Sequence, residues 1–475
     1  MTQRSPHPAD AGSRPPRLGD GGADEHEDAG RNTSSPQAGR HRRFAPERRP
    51  SKPRRLVRFA EASTSALRDR RWARAAALVV IAGLLGSGLW MLRWSGGGST
   101  ATPDTFWYAR DALRYAGHSP AEADRTAAEI TCGAMKRDRA RWRLTYTECL
   151  RYRTRLPAKA PVRFQRIFTS RPGYPLLAVP FVRVMGTTGF AAATAALGVA
   201  CGIAVVLLAL AIGLRPVQAL IAETLFYLLP TGLWGSRLLA EAPMMLCLLV
   251  ALIGTVLLLR GRNAKTAVGL LACGLALLCA VKPANGVALA AALAAGAVLS
   301  LPFATSRRTS LAVTGIATLV LAGNLWISSA LHLPGVHETL QDTFTRHFRL
   351  PDVTDPWQRL ADASQSLWTD AIAQRMLEAP LIPAAFLFAA VGLFARLRWD
   401  AAWPLALAGL TGALVASMHP LVYELDRLSV VTWIPVAFGL AALTTHHPRK
   451  DTAPHDLCST QEQRPPIGST SHTIW

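Results

Sequence analysis

The chain has 475 residues, 50% of them apolar and 17% charged, and its mean hydropathy is +0.19 although the first seventy or so residues are almost wholly polar. Apolar stretches of about eighteen residues or more recur through the remainder, which excludes a string of soluble domains and reads as a chain embedded in lipid. The 52 Lys and Arg against 31 Asp and Glu give +21; in a membrane chain this excess faces anionic lipid, and no nucleic-acid partner is expected.

Residues 1–70 are rich in Pro, Gly, Ser, Asp and Arg without apolar periodicity, and are expected to form a disordered, basic cytoplasmic tail. Nine Lys or Arg and a single acid, Glu47, lie between Arg40 and Arg58, just ahead of the apolar run Ala75 to Leu92. The segment Trp72 to Leu92 is too deep in the chain for a signal peptide and reads as a retained anchor with its N-terminus inside. Further apolar runs lie near 188–214, 216–233, 238–259, 266–282, 285–303, 310–331, 379–395, 400–418 and 428–445. The fold class expected is therefore an all-α polytopic membrane protein of about ten transmembrane helices, with a membrane domain over 71–445 and a cytoplasmic tail over 446–475.

Charge orients this count. The short loops expected inside hold Arg215, Arg260, Arg262, Lys265, Arg307, Arg308, Arg396 and Arg398, whereas the short outer turns hold only Arg237, Lys282 and Arg427. The alternation places both termini in the cytoplasm of a multi-pass cell-membrane protein. Two outer loops are long, 93–187 and 332–378. The first carries an arginine-rich stretch from Lys136 to Arg155, tolerable because long translocated segments largely escape the inside rule. It also contains Ser119-Pro120-Ala121-Glu122, a helix start with Ser at the cap and Glu three residues on, so packed helices are expected there. Arg171-Pro172-Gly173-Tyr174-Pro175 then leads into Leu176 to Met185, which reads as an interfacial or membrane-dipping helix.

Seven cysteines stand at 132, 149, 201, 247, 273, 279 and 458. Only Cys132 and Cys149 fall in an outer loop, where the compartment permits a disulfide, and they are expected to pair, the alternative being two buried thiols. No Cys/His spacing resembles a metal site.

Ionisable groups in or beside hydrocarbon are costly and are candidates for function. Asp104, Asp111, Arg171, Arg237, Glu241, Lys282, Glu338, Asp342, Glu424, Asp426 and Arg427 all fall at or near the outer face. Helix formation from Pro103 places Asp104, Tyr108 and Asp111 at i, i+4 and i+7 on one stripe. A carboxylate there suits a general base for an incoming hydroxyl; equally, Asp104 suits a helix N-terminus through the macrodipole, with Asp111 solvated. Arg171, beside the tight turn that includes Tyr174, suits phosphate or pyrophosphate binding, or snorkelling toward headgroups. Arg237 and Glu241 read as an i, i+4 ion pair, Lys282 as an anion contact or a mere turn residue, and Glu424-Leu425-Asp426-Arg427 as the charged opening of the last span. Glu223 lies inside a span, which calls for either a buried partner or a shifted span.

This constellation resembles the bacterial integral-membrane glycosyltransferases of the GT-C class, whose donors are polyprenyl-phosphate sugars. The matching features are the basic-flanked first span, Asp104 and Tyr108 opening a long outer loop, and Arg171-Pro-Gly-Tyr-Pro ahead of an interfacial helix. To these add Arg237-Leu-Leu-Ala-Glu241, Lys282-Pro283 between paired spans and a late outer arginine, Arg427, so that the likeness runs from about 72 to 445. It implies that Asp104 is the catalytic base or a metal contact, with Asp111 the next acid. Tyr108, Arg171, Tyr174, Arg237, Glu241, Lys282 and Arg427 would line the substrate site. Many members carry adjacent acids in the first loop, whereas Thr105 follows Asp104 here. The cofactor is accordingly unknown, a divalent metal having no ligand motif, and the acceptor is unknown. The rival readings are a transporter or flippase of an amphipathic anion, which would need ionisable groups through the bilayer, and a noncatalytic envelope-assembly protein.

Overall fold

The computed structural model describes residues 54–96, 100–135, 144–304 and 306–444, with side chains from residue 73 onward. Of the tail expected to be disordered over 1–70, residues 1–53 lie outside the described residues, whereas 54–70 are helical, as the start of Arg54–Gly96; the tail over 446–475, with Cys458, and residues 136–143 of the arginine-rich stretch lie outside the described residues. The chain divides into two compact units, Met1–Ser65 and Ala66–Trp475, and the apolar spans belong to the second. Its regular secondary structure is all helix, with no strand among the described residues.

Among the described residues six helices are long and apolar enough to cross a membrane, or up to eight when two sharply bent helix pairs each count as one span. Every run read from the sequence contains helix, but the count of ten is not reached. Pro216–Leu228 and Pro283–Leu299 are apolar yet short, and the segments near 379–395 and 428–445 qualify only together with a bent neighbour. The reason is local. Pro230 stops one helix, Pro283 starts another at an extended Lys282, and Pro380 stands at a 92° bend, each restricting the backbone where a straight span would continue.

The centre of the bundle is the antiparallel pair Glu241–Leu259 and Ala264–Val281, in which glycines replace side chains at the crossing. A Cβ at Gly254 would stand 2.4 Å from Leu271 N, and one at Gly274 would stand 2.6 Å from Ala251 N. Close approach of small residues is how helices associate where lipid removes the hydrophobic drive. Ala73–Gly96 and Arg307–Ala330 lie at the rim, each with only 17% of its apolar window buried, which leaves most of their surface for lipid.

The first long loop, expected on the outer side, is a packed layer of helices: Thr105–Ala116, Pro120–Met135, Tyr146–Lys159, Val162–Thr169 and Gly173–Met185. Ser119 caps the second of these, accepting from Glu122 N at 3.4 Å, but the Glu122 carboxylate meets His118 at 2.8 Å rather than closing the reciprocal cap. Cys132 and Cys149 are joined by a disulfide between the second and third helices. Gly173–Met185 is the short helix expected ahead of the long Gly189–Ala211 span, from which Gly186–Thr188 separates it.

The second long loop is fastened to the first by Arg163. Its guanidinium forks onto Glu338 at 2.9 and 3.0 Å, bonds Asp352 at 2.9 Å and lies over the Phe348 ring at 4.4 Å. Beside it Arg346, His347 and Phe348 run through three consecutive left-handed conformations, with φ of 53°, 62° and 55°.

Candidate functional site

The site is assembled where the chain is not helical. Between Pro230–Gly235 and Glu241–Leu259, residues 236–240 form turns, and this segment is pinned to the start of the first-loop helix. Leu238 N donates to Thr100 O at 2.8 Å, and the Thr105 hydroxyl donates to Leu238 O at 2.9 Å while accepting from Thr102 N at 3.0 Å. Arg153 adds a bond to Pro103 O at 3.2 Å. These bonds satisfy backbone groups that would otherwise be orphaned in a buried place, and they bring Asp104 beside Glu241.

Glu241 is fully buried and accepts two charge-assisted bonds on one oxygen, from Lys282 Nζ at 2.8 Å and Arg427 Nε at 2.6 Å. The other nitrogen fork of Arg427 reaches Asp104 Oδ2 at 2.7 Å, and Glu424 stands 3.7 Å away. Four separate elements thus place two acids and two cations in one chain of contacts, Asp104–Arg427–Glu241–Lys282. Glu241 Oε2 is buried and receives no hydrogen bond from the described residues.

Tyr108 and Arg171 flank this chain. Tyr108 is buried, and its hydroxyl is unpaired among the described residues. Burial pushes the phenol above its ordinary range, a tendency that the positive charges of Arg171 and Arg427 oppose and the negative charges of Asp104 and Glu241 reinforce. Arg171, half-buried between Val162–Thr169 and Gly173–Met185, acts electrostatically on Tyr108 and Lys282 and forms no side-chain hydrogen bond or ion pair among the described residues. Tyr174 packs on Tyr108 at 5.7 Å and shares a 2.6 Å hydrogen bond with Thr194. A neutral phenol and an unpaired guanidinium beside a network of fixed charge are equipped to hold an anion with donors on more than one side.

Two of the expected placements do not hold. Asp111 is not in this cluster: it pairs at 3.0 Å with Arg110, which also bonds Gln165 at 3.1 Å beneath the loop layer. Seven residues of helix carry a side chain about 10 Å along the axis, so sharing a stripe with Asp104 does not bring it to the same site. Nor is there a helical i, i+4 relation between Arg237 and Glu241, because the turns at 236–240 break the helix. Arg237 instead lays its guanidinium over Trp234 at 4.6 Å. Glu223 has no buried hydrogen-bond partner among the described residues, and its helix, Pro216–Leu228, is too short to count as the span expected there.

Sequence reading passed over Thr105, Arg153, Arg163 and His419. His419 bonds Thr343 at 2.8 Å, and burial pushes its imidazole down to about 4, with Arg171 and Arg427 pushing the same way against Asp342 and Asp104. Its signal was His419-Pro420 in an outer turn, a titratable ring next to a helix stop. Among the described residues no group of three or more His, Cys, Asp or Glu is placed to hold a metal ion. A cavity lined by Ser300, Ser310, Asp400 and Trp403 includes none of the site residues.

No protein-family model matches the chain, and no curated protein does either.

Proposed function

We propose that the protein is a membrane glycosyltransferase, moving a sugar from a polyprenyl-phosphate donor to an acceptor hydroxyl at the outer membrane face. The observation that supports this most is the contact chain Asp104–Arg427–Glu241–Lys282 with an unpaired Tyr108 hydroxyl and an unpaired Arg171 beside it. In this reading Arg171 and Arg427 hold the donor phosphate, and Asp104 takes the proton of the acceptor hydroxyl. The acceptor oxygen bonds to the anomeric carbon as the bond from that carbon to the phosphate oxygen breaks, with inversion, and lipid phosphate leaves. Arg427 has a double part. Drawn toward the incoming phosphate, it loosens its 2.7 Å hold on Asp104 and frees the carboxylate to act as a base. Preorganised cations then act where the leaving charge develops.

Asp104→Asn keeps shape and removes the base. Sugar transfer from polyprenyl-phosphate donors in membranes is expected to fall about 100-fold or more. Transfer at the wild-type rate would remove Asp104 from the mechanism.

One observation favours the second reading, a transporter of an amphipathic anion: the deeply buried Glu223 is an ionisable group where transport would need one. Transport of labelled lipid phosphate across vesicles without any sugar transfer would select that reading.

A further inference from the structure

The bundle holds a carboxyl group, Glu223, that the candidate site does not use. Glu223 stands seven residues into the 13-residue apolar helix Pro216–Leu228, about 10 Å along its axis. It is fully buried, and neither carboxyl oxygen has a hydrogen-bond partner among the described residues. The walls around it are glycines. A Cβ at Gly202 would meet Glu223 Oε1 at 2.5 Å and Tyr227 Oη at 2.7 Å; a Cβ at Gly86, on the first span, would meet the same two atoms at 2.9 and 3.0 Å. Two helices therefore leave out a side chain at the place where this acid sits.

Other groups nearby are already committed. Tyr227 donates its hydroxyl hydrogen to Gly198 O at 2.7 Å, and Cys201 donates to Ala242 O at 3.2 Å. Arg93, on the first span, is held by the carbonyl oxygens of Tyr227, at 2.6 Å, and Leu228. Trp433–Leu443, which packs against the Glu223 helix, contains no ionisable residue. An ionised Glu223 would thus be buried with no cation from the described residues paired to it. A protonated one carries no charge that needs a partner.

We propose that Glu223 is a proton-binding site within the membrane, carried as the neutral carboxylic acid, and that its proton holds the first span against the bundle. The first span is the element most easily affected, because it lies at the rim and meets this site through Gly86, Trp90 and Arg93. Loss of the proton would leave a bare carboxylate between Gly86 and Gly202, and separation of the first span is the simplest way to admit water to it. This inference does not depend on sugar transfer.

The test uses the full chain in lipid nanodiscs. Difference infrared spectra between wild type and Glu223→Gln at pH 7 are expected to show the carbonyl stretch of a protonated acid, fading as pH rises. Hydrogen exchange in residues 73–96 is expected to quicken over the same range in wild type but not in E223Q. Wild type alone gives a third reading: a hydrophobic carbodiimide, which attacks protonated carboxyls, should modify Glu223, with a rate falling roughly tenfold per pH unit once the acid titrates. Identical infrared spectra at pH 7, or no carbodiimide adduct at Glu223, would overturn the proposal. Protection of Glu223 by sodium at constant pH would also overturn it and assign a metal cation in place of the proton. If E223Q fails to fold, the carbodiimide result on wild type decides.

Discussion

Replacing Glu241 by Gln tests the centre of the charged cluster without any assumption about catalysis. The substitution preserves size but removes the charge that Lys282 and Arg427 approach at 2.8 and 2.6 Å in a fully buried place. Breaking a buried ion pair from one side costs about 3–5 kcal/mol, because the orphaned charge stays in low dielectric. The two cations are not equally exposed to this loss. Arg427 keeps Asp104 at 2.7 Å and Glu424 at 3.7 Å, whereas Glu241 is the one acid that Lys282 pairs with among the described residues. The penalty therefore falls chiefly on Lys282, and the lower end, about 3 kcal/mol, is expected. Adding Lys282→Met to E241Q removes the stranded ammonium and should return about 1–2 kcal/mol, a coupling within the range for residues in contact. Unfolding midpoints of the four proteins of the cycle, measured in one lipid composition, give both numbers. A loss below about 1 kcal/mol in E241Q, or a double variant no more stable than E241Q, would refute the assignment of Glu241 as the counter-ion that holds the site together.

His419 carries a pH dependence of definite sign. Its imidazole is pushed down to about 4, so the unfolded chain binds a proton below about 6.5 that the folded chain refuses. Stability is full above pH 6.5 and falls as pH drops from about 6.5 to about 4, by at most about 3 kcal/mol, and His419→Gln should flatten that part of the profile. Gly173→Ala tests the turn that carries Tyr174, since the new Cβ would lie 2.6 Å from Val281 Cγ2 and 2.8 Å from the backbone at Ala280 and Val281. With the Ala280–Val281 peptide bond and the Val281 side chain this close, the strain is expected to cost about 1–3 kcal/mol, read as a lowered thermal midpoint; an unchanged midpoint would mean that the turn yields freely.

Hydropathy and loop charge made the membrane character legible because they are sums over many residues. The Trp72–Leu92 run, the Gly173–Met185 helix and the pairing of Cys132 with Cys149 were visible for the same kind of reason: length, a Pro-Gly turn, and a compartment that leaves two thiols alone. Grouping Asp104, Glu241, Lys282 and Arg427 on one side needed only their positions at the ends of apolar runs. What could not be read was pairing. Arg237 and Glu241 have helical spacing, yet Pro230, Gly232 and Gly235 precede a segment whose amide groups bond to the first loop, so spacing along a helix loses its meaning there. Asp111 failed for a different reason, since a stripe fixes direction but not height. The count of ten spans is not confirmed, because an apolar run need not be a straight rod: Pro230 cuts short the run near 216–233, and Pro380 stands at a sharp bend.

The turn at Arg346–Phe348 has a consequence for how the protein is made. Left-handed backbone costs an ordinary residue roughly 1–2 kcal/mol, and glycine would adopt it freely. What holds the turn comes partly from elsewhere: Phe348 lies under Arg163, and the His347 ring packs 4.8 Å from Phe164. Both partners belong to a segment synthesised nearly two hundred residues earlier. The second long loop thus takes its shape from a template made earlier, which sets an order for folding: the first loop folds, and the second is moulded onto it.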